Sequence, residues 1–411
     1  MRLKRVVITG LGAVSPFGKG ADQLFEALAA GKSGIEIVPE LKRIGGLGPR
    51  VTGPVTGVDP REIPRKNRRS MSRMSIYALL AAQEALAQGG VDEIIRTGGR
   101  LGIAMGSTVG SVDTMEEFFN EYLVSKSIEH IKSMLFFRIM GHSCAANVAQ
   151  TLGITGRTLA PSAACSTGCQ AVGLGYEAVA LGRQDMMLCG GADEFHPLTA
   201  ATFDIMQAAS TKYNDRPDCT PRPFDRDRDG IVCSEGAGLL LLESLDSALE
   251  RGADILAEVT GFASTSDATS IANPDPAPMR RCMETAMKDA GLETSEVGYV
   301  NAHATGTMQG DEAECRAIAD LLGEVPVSSL KGHLGHTMAA SGALELIACV
   351  HMLRTGQLIP TRNLENPAPE CSGVRHLRTV EQASIQNILK NNFALGGVNC
   401  TVALRRFSHD G

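Results

Sequence analysis

The chain has 411 residues, 43% hydrophobic and 21% charged, which is ordinary for a globular protein that buries a large core in two similar halves or domains. Its formal net charge of −7 at pH 7 argues against a nucleic-acid-binding protein. No run of about 20 apolar residues is present, so we expect no membrane span.

Strand and helix patterns alternate through the first part of the chain. The predicted strands cover residues 5–13, 101–105, 185–189 and 236–243, and the predicted helices cover residues 21–30, 75–88 and 170–181. The last strand is continuously apolar, which is typical of a sheet covered on both faces.

A basic segment interrupts the acidic trend between the first two helices. It contains Arg61, Arg65, Lys66, Arg68, Arg69 and Arg73. Such a run is a solvated surface or a local patch that attracts an acidic partner, and the sequence alone leaves both open.

Residues 112–137 break the alternation, because aromatic, acidic and basic residues occur there without a clean period. The apolar residues at its end are Met134, Leu135, Phe136 and Phe137, with Met140 nearby. Simple core packing is one explanation, since methionine often fills irregular apolar space.

Cys165 lies where an apolar, small-residue run meets a helical pattern, in the stretch from Pro161 to Cys169. A helix N-terminus carries partial positive charge and free N–H donors, so this position favours a thiolate. The alternative is a buried structural cysteine, which is the commoner role of a free cysteine.

The chain contains eleven cysteines, an odd number without a regular disulfide framework. Several lie in apolar stretches, so we expect a reducing cytoplasm. Paired Cys-x-x-Cys motifs are absent from the sequence, and we expect no metal site. The first residues, from Met1 to Arg5, lack the longer apolar core of a signal peptide.

The alternation then restarts. The predicted strands cover residues 255–263, 297–301, 325–329, 387–393 and 400–407, and the predicted helices cover residues 278–290, 311–322 and 340–354. Alternating units of this kind indicate an α/β fold with helices covering the sheets.

Two histidine motifs lie in this second part. His303 follows a predicted strand in Asn301–Thr307, and His336 lies in Lys331–Thr337 together with His333. A cysteine and two histidines at the ends of apolar strands are typical of nucleophilic catalysis.

With these motifs in this order and spacing, nearly the whole chain resembles the β-ketoacyl-acyl-carrier-protein synthases of the thiolase superfamily. The similarity is greatest to the synthase II type and to the catalytic ketosynthase of dissociated polyketide systems. Further matching motifs are Val6–Gly12, Arg222–Asp225, Arg228–Gly230 and the glycine turn Asn392–Asn399.

The resemblance implies a duplicated, five-layer thiolase fold (α-β-α-β-α). Residues 1–250 would form the N-terminal half with the nucleophilic cysteine, and residues 251–411 the C-terminal half with both catalytic histidines. The implied reaction is a decarboxylating Claisen condensation, in which malonyl-carrier protein elongates a fatty-acyl or polyketide chain held on Cys165.

The resemblance also assigns roles to individual residues. The implied catalytic residues are Cys165, His303 and His336, with the backbone N–H groups of Cys165 and Leu395 as the oxyanion hole. The implied supporting residues are Lys331, Glu314 as its ion-pair partner, and Asp311 as a brace. Thr305 and Thr307 would bind phosphopantetheine. His333 competes with His336, but the family's Gly-His spacing before a small-residue helix selects His336.

The implied partners follow from the same family. Arg65, Lys66, Arg68 and Arg69 would dock an acidic acyl-carrier protein, and no further cofactor is implied, because substrates arrive on the carrier's phosphopantetheine. Gly10-Leu11-Gly12 lacks the third glycine of a dinucleotide fingerprint. Residues 112–137 would contribute to a dimer interface and to the far end of the acyl pocket. The dimer would be a homodimer or a heterodimer with a chain-length-factor-like subunit.

Three departures from the family pattern affect substrate range more than chemistry. Ala304 replaces the family's glycine, Leu395 replaces the phenylalanine that gates the acyl pocket, and residues 266–273 lack the usual aromatic and histidine. Two further alternatives are a non-catalytic partner subunit, which the intact cysteine and histidines oppose, and a degradative thiolase with Cys400 as base.

Overall fold

A computed structural model describes residues 3–271 and 273–408. In these ranges the strands are β1 (Val6–Ser15), β2 (Gly18–Lys19), β3 (Glu36–Ile37), β4 (Val51–Thr52), β5 (Leu101–Gly106), β6 (Thr158–Leu159), β7 (Met186–Asp193), β8 (Gly236–Ser244), β9 (Ala257–Ser266), β10 (Tyr299–Asn301), β11 (Pro326–Ser328), β12 (Gln357–Leu358), β13 (Arg375–His376), β14 (Glu381–Gln382), β15 (Asn387–Ala394) and β16 (Val398–Arg405).

The α-helices in the same ranges are α1 (Ala21–Ala29), α2 (Arg65–Arg68), α3 (Arg73–Gln88), α4 (Glu93–Thr97), α5 (Val112–Ser125), α6 (Ser133–Ile139), α7 (Ser143–Leu152), α8 (Thr167–Ala180), α9 (Pro197–Ile205), α10 (Leu245–Glu250), α11 (Pro276–Ala290), α12 (Met308–Leu322), α13 (Lys331–Leu334) and α14 (Ser341–Thr355). Every strand and helix predicted from the sequence is confirmed, with ends that differ by a few residues.

The sheet shows the duplication that sequence identity is too weak to reveal. In the first half the neighbours run β6-β5-β7-β8-β1, with parallel pairing as far as β7 and antiparallel pairing after it. In the second half they run β11-β10-β15-β16-β9 with the same directions. Antiparallel pairs between β1 and β9 join the halves. The α/β thiolase architecture is therefore confirmed.

The central helices separate the two half-sheets. Helices α8 and α14 contact each other and strands of both halves, whereas α3 packs outside the first half-sheet and α11 outside the second. Almost every residue of α14 is buried, which suits an apolar helix enclosed on all sides. Gly342 permits this closeness, because a Cβ there would lie 2.5 Å from the backbone nitrogen of Cys169.

Residues 112–137, which have no clean period in the sequence, contain α5 and most of α6. Their apolar side chains point largely outward: Val124 is 88% exposed, Phe136 is 58% exposed, and Met134 is also exposed. Core packing is therefore the wrong explanation for Met134 and Phe136.

Glu250, the predicted end of the first half, is the last residue of α10; the division into 1–250 and 251–411 stays a prediction. Among the described residues, no helix is both long and apolar enough to cross a membrane.

Candidate active site

Cys165 lies in a 3-10 turn, Ala164–Ser166, that runs directly into α8. The turn is strained, because Ala164 adopts a φ of 47°, a left-handed conformation that side chains rarely take. The Ser166 hydroxyl, which lies 3.0 Å from the Asn392 carbonyl oxygen and 2.9 Å from that of Val398, ties the turn to β15 and β16. The predicted junction between the cysteine and a helix is thus present. Helix α8 begins at Thr167, three residues before the predicted start at residue 170.

The environment of the sulfur differs from the sequence-based expectation. Burial raises the pKa of the Cys165 thiol to about 11, because the thiolate would lose its water; Lys331 and the backbone N–H groups of Cys165 and Leu395 oppose this shift. Burial therefore opposes the thiolate that the start of the helix favours. Both N–H groups expected to form the oxyanion hole face the sulfur.

His303 follows the end of β10 and is held through its backbone. The carboxylate of Glu314, on α12, accepts hydrogen bonds from the backbone N–H of His303 at 2.8 Å and of Ala304 at 2.7 Å. The Asn392 side-chain amide lies 3.2 Å from His303 Nδ1. Together these contacts fix both the loop and the ring.

His336 is held by a different set of contacts. Its backbone pairs with Val232 and Ser234, and its Nδ1 accepts from the Met338 N–H at 3.3 Å. The opposite ring nitrogen, Nε2, is buried without a hydrogen-bond partner in the described part of the chain. By contrast, both ring nitrogens of His333 contact backbone carbonyls, those of Lys32 and Pro360. The structure thus places His336, not His333, at the site.

The three side chains form one cluster. Their ligand atoms, the Cys165 sulfur and one ring nitrogen of each histidine, all lie within 4.8 Å of one another, and the imidazole rings are 5.3 Å apart at 82°. Burial, reinforced by Lys331, lowers the pKa of both histidines well below the ordinary value, so both are neutral. Because Nδ1 of His336 accepts a hydrogen bond from a backbone N–H, Nε2 of that ring carries the proton. A metal ion in this cluster would need unprotonated nitrogens, so the donor set does not suit one.

The resemblance implies an ion pair between Lys331 and Glu314, and this prediction is wrong. The Nζ of Lys331 lies 2.6 Å from Glu345 Oε1 on α14, and Lys390 Nζ lies 2.8 Å from the other oxygen, with all three side chains fully buried. Glu314 is not available to pair with Lys331, because its two carboxylate oxygens accept hydrogen bonds from the backbone N–H groups of His303 and Ala304. Glu314 still contributes to the field around Lys331, but without a direct ion pair.

Asp311, on α12, and the two threonines lie shortly after His303 in the chain. Asp311 accepts from the backbone N–H of Phe224 at 2.8 Å and of Gly306 at 3.1 Å, so it braces the loop as predicted. The Thr305 and Thr307 hydroxyls are 3.2 Å apart. Both line a cavity of about 480 Å³ that also reaches the cysteine and both histidines.

Part of the cavity lining is apolar, and Leu395 lies there in the position where the resemblance expects an aromatic gate. Its lining includes Phe203, Met206, Ile271 and Leu395, and the Leu395 side chain is 40% exposed. None of Met134, Leu135, Phe136, Phe137 and Met140 lines it, so that segment does not close the pocket within one chain. Ala272, in the facing loop, lies outside the described residues.

The basic residues are separate from the cavity. Arg65, Lys66 and Arg68 form α2, and Arg69 follows it; three of the four are exposed and Arg68 is half-buried. Across residues 3–271 and 273–408, none of the four takes part in an ion pair. Cys400, the alternative thiolase base, is buried in β16 beside Ser264, away from the cavity lining.

Sequence reasoning missed three buried polar residues behind the cluster: Glu345, Lys390 and Asn392. The sequence contained one signal for these residues, a lysine and two asparagines in the otherwise apolar strand pattern of residues 387–393. Polar side chains in a strand that is covered on both faces are rarely buried unless they have partners.

The duplicated sheet and the Cys-His-His cluster with two facing N–H groups define an acyl-transferring condensing enzyme. The chain belongs to the β-ketoacyl synthase family: residues 3–248 match the family described as "Beta-ketoacyl synthase, N-terminal domain", and residues 256–365 match "Beta-ketoacyl synthase, C-terminal domain". The predicted family and enzyme class are thereby confirmed.

Individual relatives align with this chain over nearly its full length. The 3-oxoacyl-[acyl-carrier-protein] synthase 1 of Haemophilus influenzae is 34% identical, covering 99% of this chain and 100% of that protein. The crystal structure of a β-ketoacyl synthase from Burkholderia phymatum is 40% identical with a TM-score of 0.95, covering 98% of this chain and 100% of that one.

Two further ketosynthase structures are also similar, each 30% identical. The ishigamide ketosynthase/chain length factor has a TM-score of 0.90 and covers 99% of this chain and 100% of that one. A ketosynthase solved with its type II polyketide acyl-carrier protein and a hexaketide has a TM-score of 0.89 and covers 98% and 100%.

Proposed function

We propose that the chain is a β-ketoacyl-acyl-carrier-protein synthase that elongates an acyl chain on Cys165 by decarboxylative condensation with malonyl-carrier protein. The observation that carries the proposal is the convergence of the Cys165 sulfur with two neutral imidazoles and the N–H groups of Cys165 and Leu395. Each group has a task in the two half-reactions.

The first half-reaction is acyl transfer to Cys165. The sulfur attacks the carbonyl carbon of an acyl-pantetheine thioester, and the carbon–sulfur bond of that thioester breaks. The proton lost by the Cys165 thiol is taken up by the departing pantetheine sulfur, which leaves as the thiol. The N–H groups of Cys165 and Leu395 stabilise the oxyanion that forms, an effect worth several kcal/mol in a site that excludes water. The two threonine hydroxyls hold the amide-bearing pantetheine arm.

The second half-reaction begins with malonyl-carrier protein. Its thioester carbonyl accepts hydrogen bonds from Nε2–H of His303 and His336. When the bond to the carboxylate breaks, carbon dioxide leaves and its electron pair forms an enolate that these two donors stabilise. The enolate carbon attacks the acyl-cysteine carbonyl, and the carbon–sulfur bond of that thioester breaks to release the elongated β-ketoacyl chain. The orphan Nε2 of His336 supports this role, because a buried donor without a partner is costly until a ligand accepts from it.

The proposed partner is an acidic acyl-carrier protein that docks on α2. None of the four basic residues forms an ion pair within the described residues, so their combined field can attract an acidic partner. All eleven cysteines are free, which favours a reducing compartment such as the cytoplasm.

Elongation of fatty acids is the first candidate function, and a second candidate uses the same chemistry in another pathway. A ketosynthase of a polyketide or polyene system, paired with a chain-length-factor-like subunit, is favoured by Leu395 in place of the aromatic gate. The exposed apolar face of α5 and α6 suits either kind of dimer. Light scattering of the protein expressed alone separates them: a stable dimer supports the first candidate, and a monomer supports the second.

Mass spectrometry tests the nucleophile. Incubation with acyl-carrier protein should add the acyl mass to the Cys165 peptide, and Cys165→Ala should abolish loading. Cys400→Ala is the matched control, because Cys400 is also a buried free cysteine, and it should load normally. Undiminished loading of the Cys165→Ala variant contradicts the proposal.

Release of carbon dioxide tests the histidines. His303→Ala and His336→Ala should each slow malonyl decarboxylation by roughly 10²-fold or more, as removal of a preorganised donor does, while loading falls much less. Near-normal release of carbon dioxide from both variants contradicts these roles.

A further inference from the structure

Asn392 is a fully buried residue of β15 whose side chain joins the nucleophile to the first histidine. Its amide nitrogen lies 3.3 Å from the backbone carbonyl oxygen of Cys165 and 3.2 Å from His303 Nδ1. A backbone carbonyl can only accept, so the nitrogen of the amide, not its oxygen, must face this pair. Its two hydrogens then match the two acceptors.

This contact determines where His303 carries its proton. A neutral imidazole that accepts a hydrogen bond at Nδ1 is protonated at Nε2, the nitrogen that the proposed mechanism uses as a donor. A backbone donor, the Met338 N–H, does the same for His336. The tautomer of His336 is therefore fixed by the main chain, whereas that of His303 depends on one replaceable side chain.

We propose that Asn392 is a positioning residue that holds His303 in the Nε2–H tautomer and fixes its ring relative to Cys165. The inference rests on the proposed function only for the catalytic use of that proton; the tautomer itself is independent of it.

A purely structural role explains Asn392 poorly. Its side-chain oxygen is buried without a hydrogen-bond partner among the described residues, which costs free energy. The neighbouring Asn391 shows the contrast, because its oxygen accepts from the Thr401 hydroxyl at 2.9 Å and its nitrogen contacts Glu314 and Met283. What Asn392 gains in return is the pair of contacts at the site.

The test is ¹⁵N NMR of protein labelled at its nine histidines, with His303→Ala identifying the resonances of His303. In the unmodified protein, Nδ1 of His303 should be unprotonated and Nε2 protonated. In Asn392→Asp, the carboxylate can only accept, so Nδ1 should become protonated. Asn387→Asp is the matched control: Asn387 is in the same strand, about 17 Å away at 3.4 Å per residue, and its amide also donates to a backbone carbonyl, that of Glu296. It should leave His303 unchanged.

A second variant without a carboxylate tests the inference even if Asn392→Asp does not fold. Asn392→Leu has a similar shape without a donor, and it should give a mixture of the two tautomers and malonyl decarboxylation at least about tenfold slower. A protonated Nδ1 in the unmodified protein, or an unchanged pure Nε2–H tautomer in the folded variants, overturns the inference. Normal decarboxylation by His303→Ala would instead contradict the proposed function and leave the tautomer assignment standing.

Discussion

Lys331 and Glu345 form a fully buried ion pair, with 2.6 Å between Nζ and Oε1. Because Lys390 binds the other oxygen of the same carboxylate, one anion balances two cations directly behind the histidines. The excess positive charge lowers the pKa of both histidines, in addition to the larger effect of burial, and it also opposes the rise in the pKa of Cys165. The triad therefore sets the electrostatic background of the site.

Removing the carboxylate that Lys331 and Lys390 share should strongly lower the free energy of unfolding. Glu345→Gln leaves two buried ammonium groups without a carboxylate, and breaking a buried pair costs about 3–5 kcal/mol. Glu284→Gln is the control, since it breaks the exposed pair with Arg280 and should cost under about 1 kcal/mol. Urea denaturation measures both changes; equal effects would show that the buried triad contributes no more than a surface pair.

Glu314 should make stability depend on pH. Burial raises its pKa to about 7 from an unfolded value near 4.5, so between these values the folded protein holds a proton that the unfolded chain releases. Stability that is present below about pH 4.5 is therefore lost as pH rises through 7, by an amount on the order of 3 kcal/mol.

Glu314→Gln cannot titrate and should lose this slope. The comparison is the difference in free energy of unfolding between the two proteins, measured by urea denaturation from pH 4.5 to pH 8. A difference that stays constant with pH would mean that Glu314 is ionised across the whole range in the folded state.

The Cys165 thiol should react slowly at neutral pH in the absence of substrate. Alkylation needs the thiolate, and burial raises the pKa to about 11, so the rate of modification by iodoacetamide should still be rising at pH 9. The measurement is the rate of mass addition to the Cys165 peptide against pH. A plateau below pH 8 would indicate a resting thiolate, as the helix start alone would predict.

The basic helix should act on the carrier and not on the chemistry. Lys66→Glu combined with Arg69→Glu should raise KM for acyl-carrier protein and weaken the salt dependence, because ions screen a steering field. Activity with a small acyl-pantetheine thioester should change little. Lys288→Glu, a reversal of a surface charge on α11, is the control; equal losses with both substrates would point to misfolding.

The sequence reveals what is encoded locally. Strand and helix patterns, the junction before α8 and the two histidine motifs depend on near neighbours in the chain. They single out Cys165, His303 and His336, which the structure brings together. The partner of Lys331 does not depend on near neighbours, because Glu314 and Glu345 lie on different helices and only packing decides which one reaches the ammonium. Asn392 is equally hidden, since its two partners are more than 80 residues away in sequence.

Leu395 should control which acyl groups are accepted. Its backbone N–H faces the Cys165 sulfur, whereas its partly exposed side chain lines the apolar part of the cavity. A side-chain change should therefore leave the proposed oxyanion hole intact and alter the shape of the pocket. Compared with phenylalanine, leucine is smaller and more flexible, so the pocket should admit longer, bent or rigid unsaturated chains.

Leu395→Phe should restore a bulkier gate and narrow the range of primers. An apolar size change shifts discrimination by about 1–3 kcal/mol, so preferences should change by about tenfold to a few hundredfold. Leu395→Met is the matched control, because it nearly conserves volume and should keep the original profile. The measurement is kcat/KM across a series of chain lengths and degrees of unsaturation. Parallel profiles for the leucine and phenylalanine proteins, differing by one constant factor, would show that position 395 affects turnover without selecting the substrate.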